Sequence, residues 1–435
     1  MTPPADVRRG GFDEFAEYVN PRIVRRARLT GEPFRIVRAQ DGRLFDESGR
    51  AYEDFHGVQA LGHRHPAVTA AVSAYLESDL PSWYPSRIHP HAGRLARTLC
   101  ERTGYTNAYF TCSGSEAVEA ALKLARAATR RPRLLCLEGA YHGCGVGSTA
   151  LMAEGPFRDP FGPHLPGVTA LPFGDVHALA SAFGQGDVGA VVVEPIQGEA
   201  GVRALPGEYV DALCELSAAH GALLVADEVQ TGLGRSGRFL MSEAWPRRPD
   251  AVVLAKALGG GLVPISVMLT RREWFERAYG GDIEDGEAHN TTWGQNAVGM
   301  AAALATLDLV TADLIERIRQ AGDRLQRDLA AALGSCPLFV EVRGAGLMLG
   351  LALRPPDHPW LSLEHFGFPE LAEKGRTVVA PLLCHRLARR GFFTLPCAHD
   401  WSVVRVQPRF FVDDETLAAF VRACREELDH LAALS

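Results

Sequence analysis

The chain contains no hydrophobic run of membrane-spanning length, and its opening, MTPPADVRRGGFDEF, lacks the apolar core of a secretory signal peptide. Basic charge is not in excess. Lys and Arg number 45 against 52 acids, a net charge of −7, so no face for nucleic acid is implied. Neither a helix-turn-helix segment nor a basic arm stands out. CxxC pairs and Cys/His clusters at metal spacing are absent, so the nine cysteines read as reduced, mostly buried thiols. Internal repeats and low-complexity tracts are missing too. These absences lead to the expectation of a cytoplasmic protein with no metal site, membrane contact or nucleic-acid partner. At 435 residues, with 47% apolar and 22% charged, the chain has the length for two or three domains and the composition of a globular core.

Short apolar runs recur along the first two thirds: NAYFTC ending at Cys112, RLLCLEG at Gly139, GAVVVEP at Pro195, ALLVADE at Glu228 and AVVLAK at Lys256. Helical patterns intervene, among them EAVEAALKLARAA (116–128) and EYVDALCELSAAHG (208–221). Continuous apolar strands alternating with helices predict an α/β fold with a mostly parallel sheet covered on both faces. Ligands of such sheets bind at the carboxyl ends of the strands, where Glu194, Asp227 and Lys256 all fall. After about residue 310 the pattern changes. A long helix over 311–333 precedes a strand pair in LFVEVRGAGLMLGLAL, then comes a proline-rich segment, 354–381. A helix (382–390), the strand SVVRVQP and a last amphipathic helix finish the chain. The predicted organisation is a large domain over 57–310 and a smaller α+β domain over 311–435, joined by an N-terminal meander in 1–56.

Lys256 follows directly on an apolar run in VVLAKALGGG. A buried lysine without a partner loses its charge, and an uncharged lysine attacks aldehydes. A stem that packs while the head reaches water is the ordinary alternative. FTCSGSEAVEAALKLAR sets Ser113, Gly114 and Ser115 at a helix start, where backbone N–H groups bind anions. The same letters are equally those of a plain helix cap. Asp227 ends the strand in LLVADEVQTGLGRSG, placed to hold a cationic ring nitrogen by a charge-assisted bond or to stand as a solvated loop acid. A lysine for an aldehyde, an acid for a pyridinium and a cradle for a phosphate together suit pyridoxal phosphate (PLP).

The segments GHRHPAV, SGSEAVEAALKLAR, YHG, VEPIQGEAGV, ADEVQTGLGRSG, AKALGGG, TTWGQN, RGAGLMLGL and VVRVQP follow one another from about Ala51 to the last helix. Through them the chain resembles the class-III pyridoxal-phosphate aminotransferases, the group of ornithine, acetylornithine, putrescine, lysine and 4-aminobutyrate aminotransferases. The resemblance implies the aspartate-aminotransferase-like fold (PLP fold type I): a large domain with a mainly parallel seven-stranded sheet, and a small α+β domain built from both chain ends. It implies that Lys256 links to the cofactor aldehyde and later shuttles the proton, and that Asp227 pairs with the pyridine nitrogen. Gln230 would bond the phenolic oxygen, with Val229 on one ring face and Tyr141 on the other. Gly114 and Ser115 would cradle the phosphate, joined by Thr292 from the second subunit of a homodimer whose active sites are shared.

For the substrates, the resemblance assigns Arg405 to an α-carboxylate, and Glu199 to masking that arginine while an ω-amine reacts. Trp83 and Tyr84 lie where the family places an aromatic contact. The implied reaction moves a terminal amino group from a diamine, a basic amino acid or a related biosynthetic intermediate to a 2-oxo acid, 2-oxoglutarate. Cys144 departs from the pattern, because many members carry arginine or lysine there. The segment DFHGVQALGH is shorter than usual and 354–381 is longer, so the departures touch the donor side. Two other functions use the same lysine and cofactor: an isomerase (epimerase or aminomutase) and a PLP-binding regulator. The Glu199–Arg405 pair favours amino transfer over the first, and the absence of a DNA-binding segment disfavours the second.

Overall fold

Seven strands build one sheet: β1 (Asn107–Thr111), β2 (Arg133–Leu137), β3 (Val168–Leu171), β4 (Val188–Val193), β5 (Leu223–Asp227), β6 (Ala251–Leu254) and β7 (Ser266–Thr270). Their order across the sheet is β1-β7-β6-β5-β4-β2-β3. β7 runs antiparallel to both neighbours, and every other neighbouring pair is parallel. The computed structural model describes residues 12–29, 35–84, 88–282, 284–355, 358 and 360–434.

Successive strand residues point to opposite faces, and both faces are covered, which is why the strands read as unbroken apolar runs. Leu134, Cys136, Val192 and Val225 pack on one side with Val118, Ala121 and Leu124 of α1 (Gly114–Thr129). Leu135, Leu137, Val191, Val193 and Leu224 pack on the other with Leu179 and Phe183 from the helix Val176–Gly184, and Tyr209 and Leu213 from Gly207–Ala219. α1 starts where its sequence says it should. Ser113 accepts from the Glu116 N–H while the Glu116 carboxylate accepts from the N–H groups of Cys112 and Ser113.

The chain divides into two compact units, 64–320 and 1–63 with 321–435. The sequence expectation placed these boundaries after 56 and after 310. The helix Ala312–Leu333 runs unbroken past residue 320, so no linker marks that transition. Within the second unit both chain ends share a sheet. The antiparallel strands Ile36–Gln40, Arg43–Asp46 and Ala51–Asp54 are joined by Phe392–Phe393, which runs parallel to Ala51–Asp54. A second sheet orders Phe339–Ala345, Met348–Leu353, Val403–Val406 and Leu395–Pro396. The described part of 354–381 folds on its own unit. Leu363 and Val378 bury with Trp401, and Arg25 pairs with Glu370 at 3.2 Å and lies over the Phe368 ring. Among the described residues no single helix is long and apolar enough to cross a membrane.

Candidate active site

The strand order reverses between β2 and β4. β3 lies outside β2, whereas β5 and β6 follow β4 in the other direction, and such a reversal opens a crevice at the carboxyl ends. Register then sets the rim. Val193 pairs with Ala226, so the next residues, Glu194 and Asp227, stand side by side. Asp227 in turn pairs with Val253, which puts Lys256 three residues beyond the level of Asp227.

Lys256 opens a short 3-10 turn, Lys256–Gly259, and holds a φ of 41°. A side-chain-bearing residue in the left-handed region costs on the order of 1–3 kcal/mol, and such strain gathers at functional sites. Gly260 follows at φ 64°, and a Cβ there would lie 2.8 Å from Val68, so only glycine completes this turn. Of the two alternatives for Lys256, the protomer favours the ordinary one, because the residue is exposed. The apolar strand stops at Leu254, two residues before it.

Asp227 is the opposite case, with a side chain only 4% exposed. Its Oδ2 lies 2.7 Å from His142 Nδ1, and its Oδ1 accepts from Val229 N–H at 3.1 Å. His142 is wholly buried, which disfavours its cation. The hydrogen bond and charge of Asp227, with the charge of Glu194, outweigh burial and hold the imidazole above its ordinary value. The pair is therefore a charge-assisted one that fixes the carboxylate's direction. His142 was not singled out from the sequence, although it sits beside Tyr141 in YHG; that adjacency was its only signal.

The loop after β2 presents Tyr141, whose hydroxyl is 3.5 Å from the exposed Cys144 Sγ. The same loop returns to α1. Gly145 N–H donates to Ser115 Oγ at 2.7 Å, and Ser115 Oγ is 2.9 Å from Ser148 Oγ. A Cβ on Gly114 would meet the Val229 methyls at 3.0 and 3.1 Å and Ala255 at 3.4 Å. The first turn of α1 is thus pressed against the residues that follow Asp227 and precede Lys256. Because Ser113 and Glu116 supply the cap, Ser115 is not needed there and instead ties α1 to the loop after β2. Gln230 donates from Nε2 to Glu199 Oε1 at 3.0 Å, while its Oε1 is buried without a partner. One further Nε2 proton remains to donate.

The structure thus gathers Gly114, Ser115, Tyr141, Glu199, Asp227, Val229, Gln230 and Lys256 at one end of the sheet. Thr292 and Tyr84 form a separate group. Thr292 is exposed, its carbonyl accepts from Trp83 Nε1 at 3.0 Å, and both line a small cavity with Tyr84, His89 and Gln295. Arg405 belongs to the other unit, on the strand Val403–Val406, opposite Gly350 and Leu395.

The family model Aminotransferase class-III matches residues 27–428. The chain is 38% identical over 361 residues to putrescine aminotransferase of Pectobacterium atrosepticum, covering 78% of this chain and 76% of that one. It is 41% identical over 337 residues to acetylornithine aminotransferase of Streptomyces coelicolor, covering 74% and 78%. The crystal structure of ornithine aminotransferase from Toxoplasma gondii ME49 matches with a TM-score of 0.81 and 25% identity, over 93% of this chain and 92% of that one. An amine transaminase from an uncultivated Pseudomonas species, solved in its PLP-bound form, matches at 0.79 with 27% identity, over 91% and 94%. The fold is therefore PLP fold type I, of the aspartate-aminotransferase kind, and the family cofactor is pyridoxal phosphate.

The residues present fit that cofactor on their own geometry. A closely packed glycine opens α1 and leaves N–H groups for a phosphate, a buried carboxylate is held by an imidazole, and the lysine turn is strained. The isomerase alternative gains nothing from these relatives, which are named for amino transfer. With the family model spanning nearly its whole length, the chain belongs to the class-III aminotransferases.

Proposed function

We propose that this aminotransferase takes a terminal amino group from a diamine, a basic amino acid or a related biosynthetic intermediate and passes it to 2-oxoglutarate. The observation that carries the reading is Glu199. It is 8% exposed and held by Gln230 beside the Asp227 loop, where the family resemblance puts the glutamate that masks Arg405. Masking suits a two-substrate cycle, since an ω-amine donor needs the arginine hidden and a 2-oxo dicarboxylate needs it free. Arg405 then grips the α-carboxylate with its bidentate fork.

Pyridoxal phosphate, when bound, supplies the aldehyde and the electron sink. The chain does the rest. Lys256 Nζ would attach the cofactor and move the substrate proton. Asp227, aimed by His142, would hold the ring nitrogen. Tyr141 and Val229 would hold the ring, and the spare Nε2 proton of Gln230 would serve the phenolic oxygen. Gly114 and Ser115 at the start of α1 would receive the phosphate. Thr292 of the partner subunit would complete that cradle, making a homodimer the working form. The exposure of Thr292 and of Trp293, 54% in the protomer, supports this. A cytoplasmic location belongs to the same reading.

Among donors, Cys144 discriminates. A thiol replaces the basic residue with which many members hold the distal end of the substrate, and it stands exposed beside Tyr141. N-acetylornithine is therefore a poorer donor here than putrescine, ornithine or lysine, despite the 41% relative named for it. Rate measurements of the donor half-reaction with these four amines, followed by the cofactor absorbance, test this. Conversion to the amine form of the cofactor by the terminal primary amines is the expected result. A clear preference for N-acetylornithine would overturn the donor assignment.

A further inference from the structure

Glu194 has no role in the reading above, yet it sits at the centre of the rim. It is 4% exposed and follows the last residue of β4, alongside Asp227. Its Oε1 accepts from Tyr141 N–H at 2.9 Å and its Oε2 from Gly198 N–H at 3.3 Å. One oxygen therefore reaches the loop that carries Tyr141 and His142, and the other the loop that carries Glu199. We propose that Glu194 is a positioning residue: a proton-carrying strut that joins the ring-facing loop to the masking loop and sets the net charge held against Asp227. The role is independent of donor identity.

The charge count follows from three groups in one buried place. With His142 charged against Asp227, ionisation of Glu194 leaves the buried cluster of Glu194, Asp227 and His142 with one net negative charge, a form that burial disfavours. Opposing effects act on Glu194. Burial and the charge of Asp227 favour the acid, whereas the His142 charge and the two N–H donors favour the carboxylate, and the balance lies at about 7. The charged and titratable groups that face it are His142 from the loop after β2 and Asp227 from β5. Near neutral pH the strut is thus poised between an acid and a carboxylate, and its ionisation adds one negative charge beside the carboxylate meant for the ring nitrogen.

The sign of the pH effect is fixed by the direction of the shift. Glu194 is raised from 4.5 to about 7, so its contribution to stability is fully present below 4.5 and is lost as pH rises through about 7. Glu194→Gln copies the shape of the acid but cannot ionise. It loses one acceptor, a cost that does not vary with pH. The experiment compares thermal midpoints of the wild-type and Glu194→Gln holoenzymes between about pH 5 and about pH 8, with cofactor Kd measured at each pH. The wild-type midpoint is expected to fall relative to the variant as pH rises from about 5 to about 7, and to level off above that. Glu194→Ala, which removes the strut, is expected to weaken cofactor Kd by about tenfold. A midpoint difference that stays flat with pH overturns the proposal, as does an unchanged cofactor Kd in a folded alanine variant. Should the alanine variant fail to fold, the glutamine comparison alone decides, because a merely structural role would not move with pH.

Discussion

Asp227 and Cys144 both adjoin the Tyr141–His142 loop and are treated differently. Both oxygens of Asp227 are engaged, by His142 and by Val229 N–H, and its side chain is 4% exposed. Cys144 is exposed, with the Tyr141 hydroxyl at 3.5 Å. In the reading proposed above, the groups assigned to the cofactor are organised before anything binds, whereas Cys144, assigned to the donor, presents surface. Groups aimed in advance at a reacting centre need no reorganisation when it arrives. Groups that discriminate among substrates act only by contact with them, so they stay open until the substrate or a second subunit covers them. Lys256 belongs to both sides, being exposed like the substrate residues yet held in a strained turn like a cofactor residue.

That contrast can be broken at its strongest point first. Lys256→Ala removes both the attachment and the proton carrier, and turnover is expected to fall by about 10⁴-fold or more, the upper range for a positioned base. Steady-state assay, together with loss of the borohydride-reducible link to the cofactor, measures it. A variant that turned over normally would remove Lys256 from the site.

Next is Asp227→Ala, which strands the buried His142 without its partner. Removing one member of a buried charged pair costs about 3–5 kcal/mol, so both denaturant stability and cofactor affinity should drop. If stability were unchanged, the cofactor side would not be the preorganised half of the site.

The smallest of the three effects is expected on the substrate side. Arg405→Ala should slow the 2-oxoglutarate half-reaction by about 2–5 kcal/mol while sparing the amine half. Single-turnover rates of the two halves separate these outcomes. An equal loss in both would assign Arg405 to the structure of its own sheet, where it stands opposite Gly350 and Leu395.

Much of this molecule could be read locally. Five of the seven large-sheet strands announce themselves as apolar runs, and α1 announces its start through Ser113 and Glu116. β3 and β7 do not. β3 is four residues at the sheet edge with little burial, so its pattern is weak. β7 returns antiparallel between β1 and β6, a placement that no local run encodes. The exposure of Lys256 was equally hidden, because an apolar run ahead of a lysine does not say where the chain turns.

Sequence by itself determined the order of five of the seven large-sheet strands and the helices between them, the capped start of α1, and the candidate lysine, carboxylate and phosphate cradle. Each of these rests on periodicity or on contacts within a few residues, which a short segment carries whole. Tertiary structure decided the grouping of Glu194, His142 and Asp227: strand register sets Glu194 beside Asp227, and the loop after β2 brings His142 to it. It also decided that the two chain ends share one sheet. Pairing between strands far apart in the chain depends on which partner completes each hydrogen-bond ladder, and that choice belongs to the whole fold.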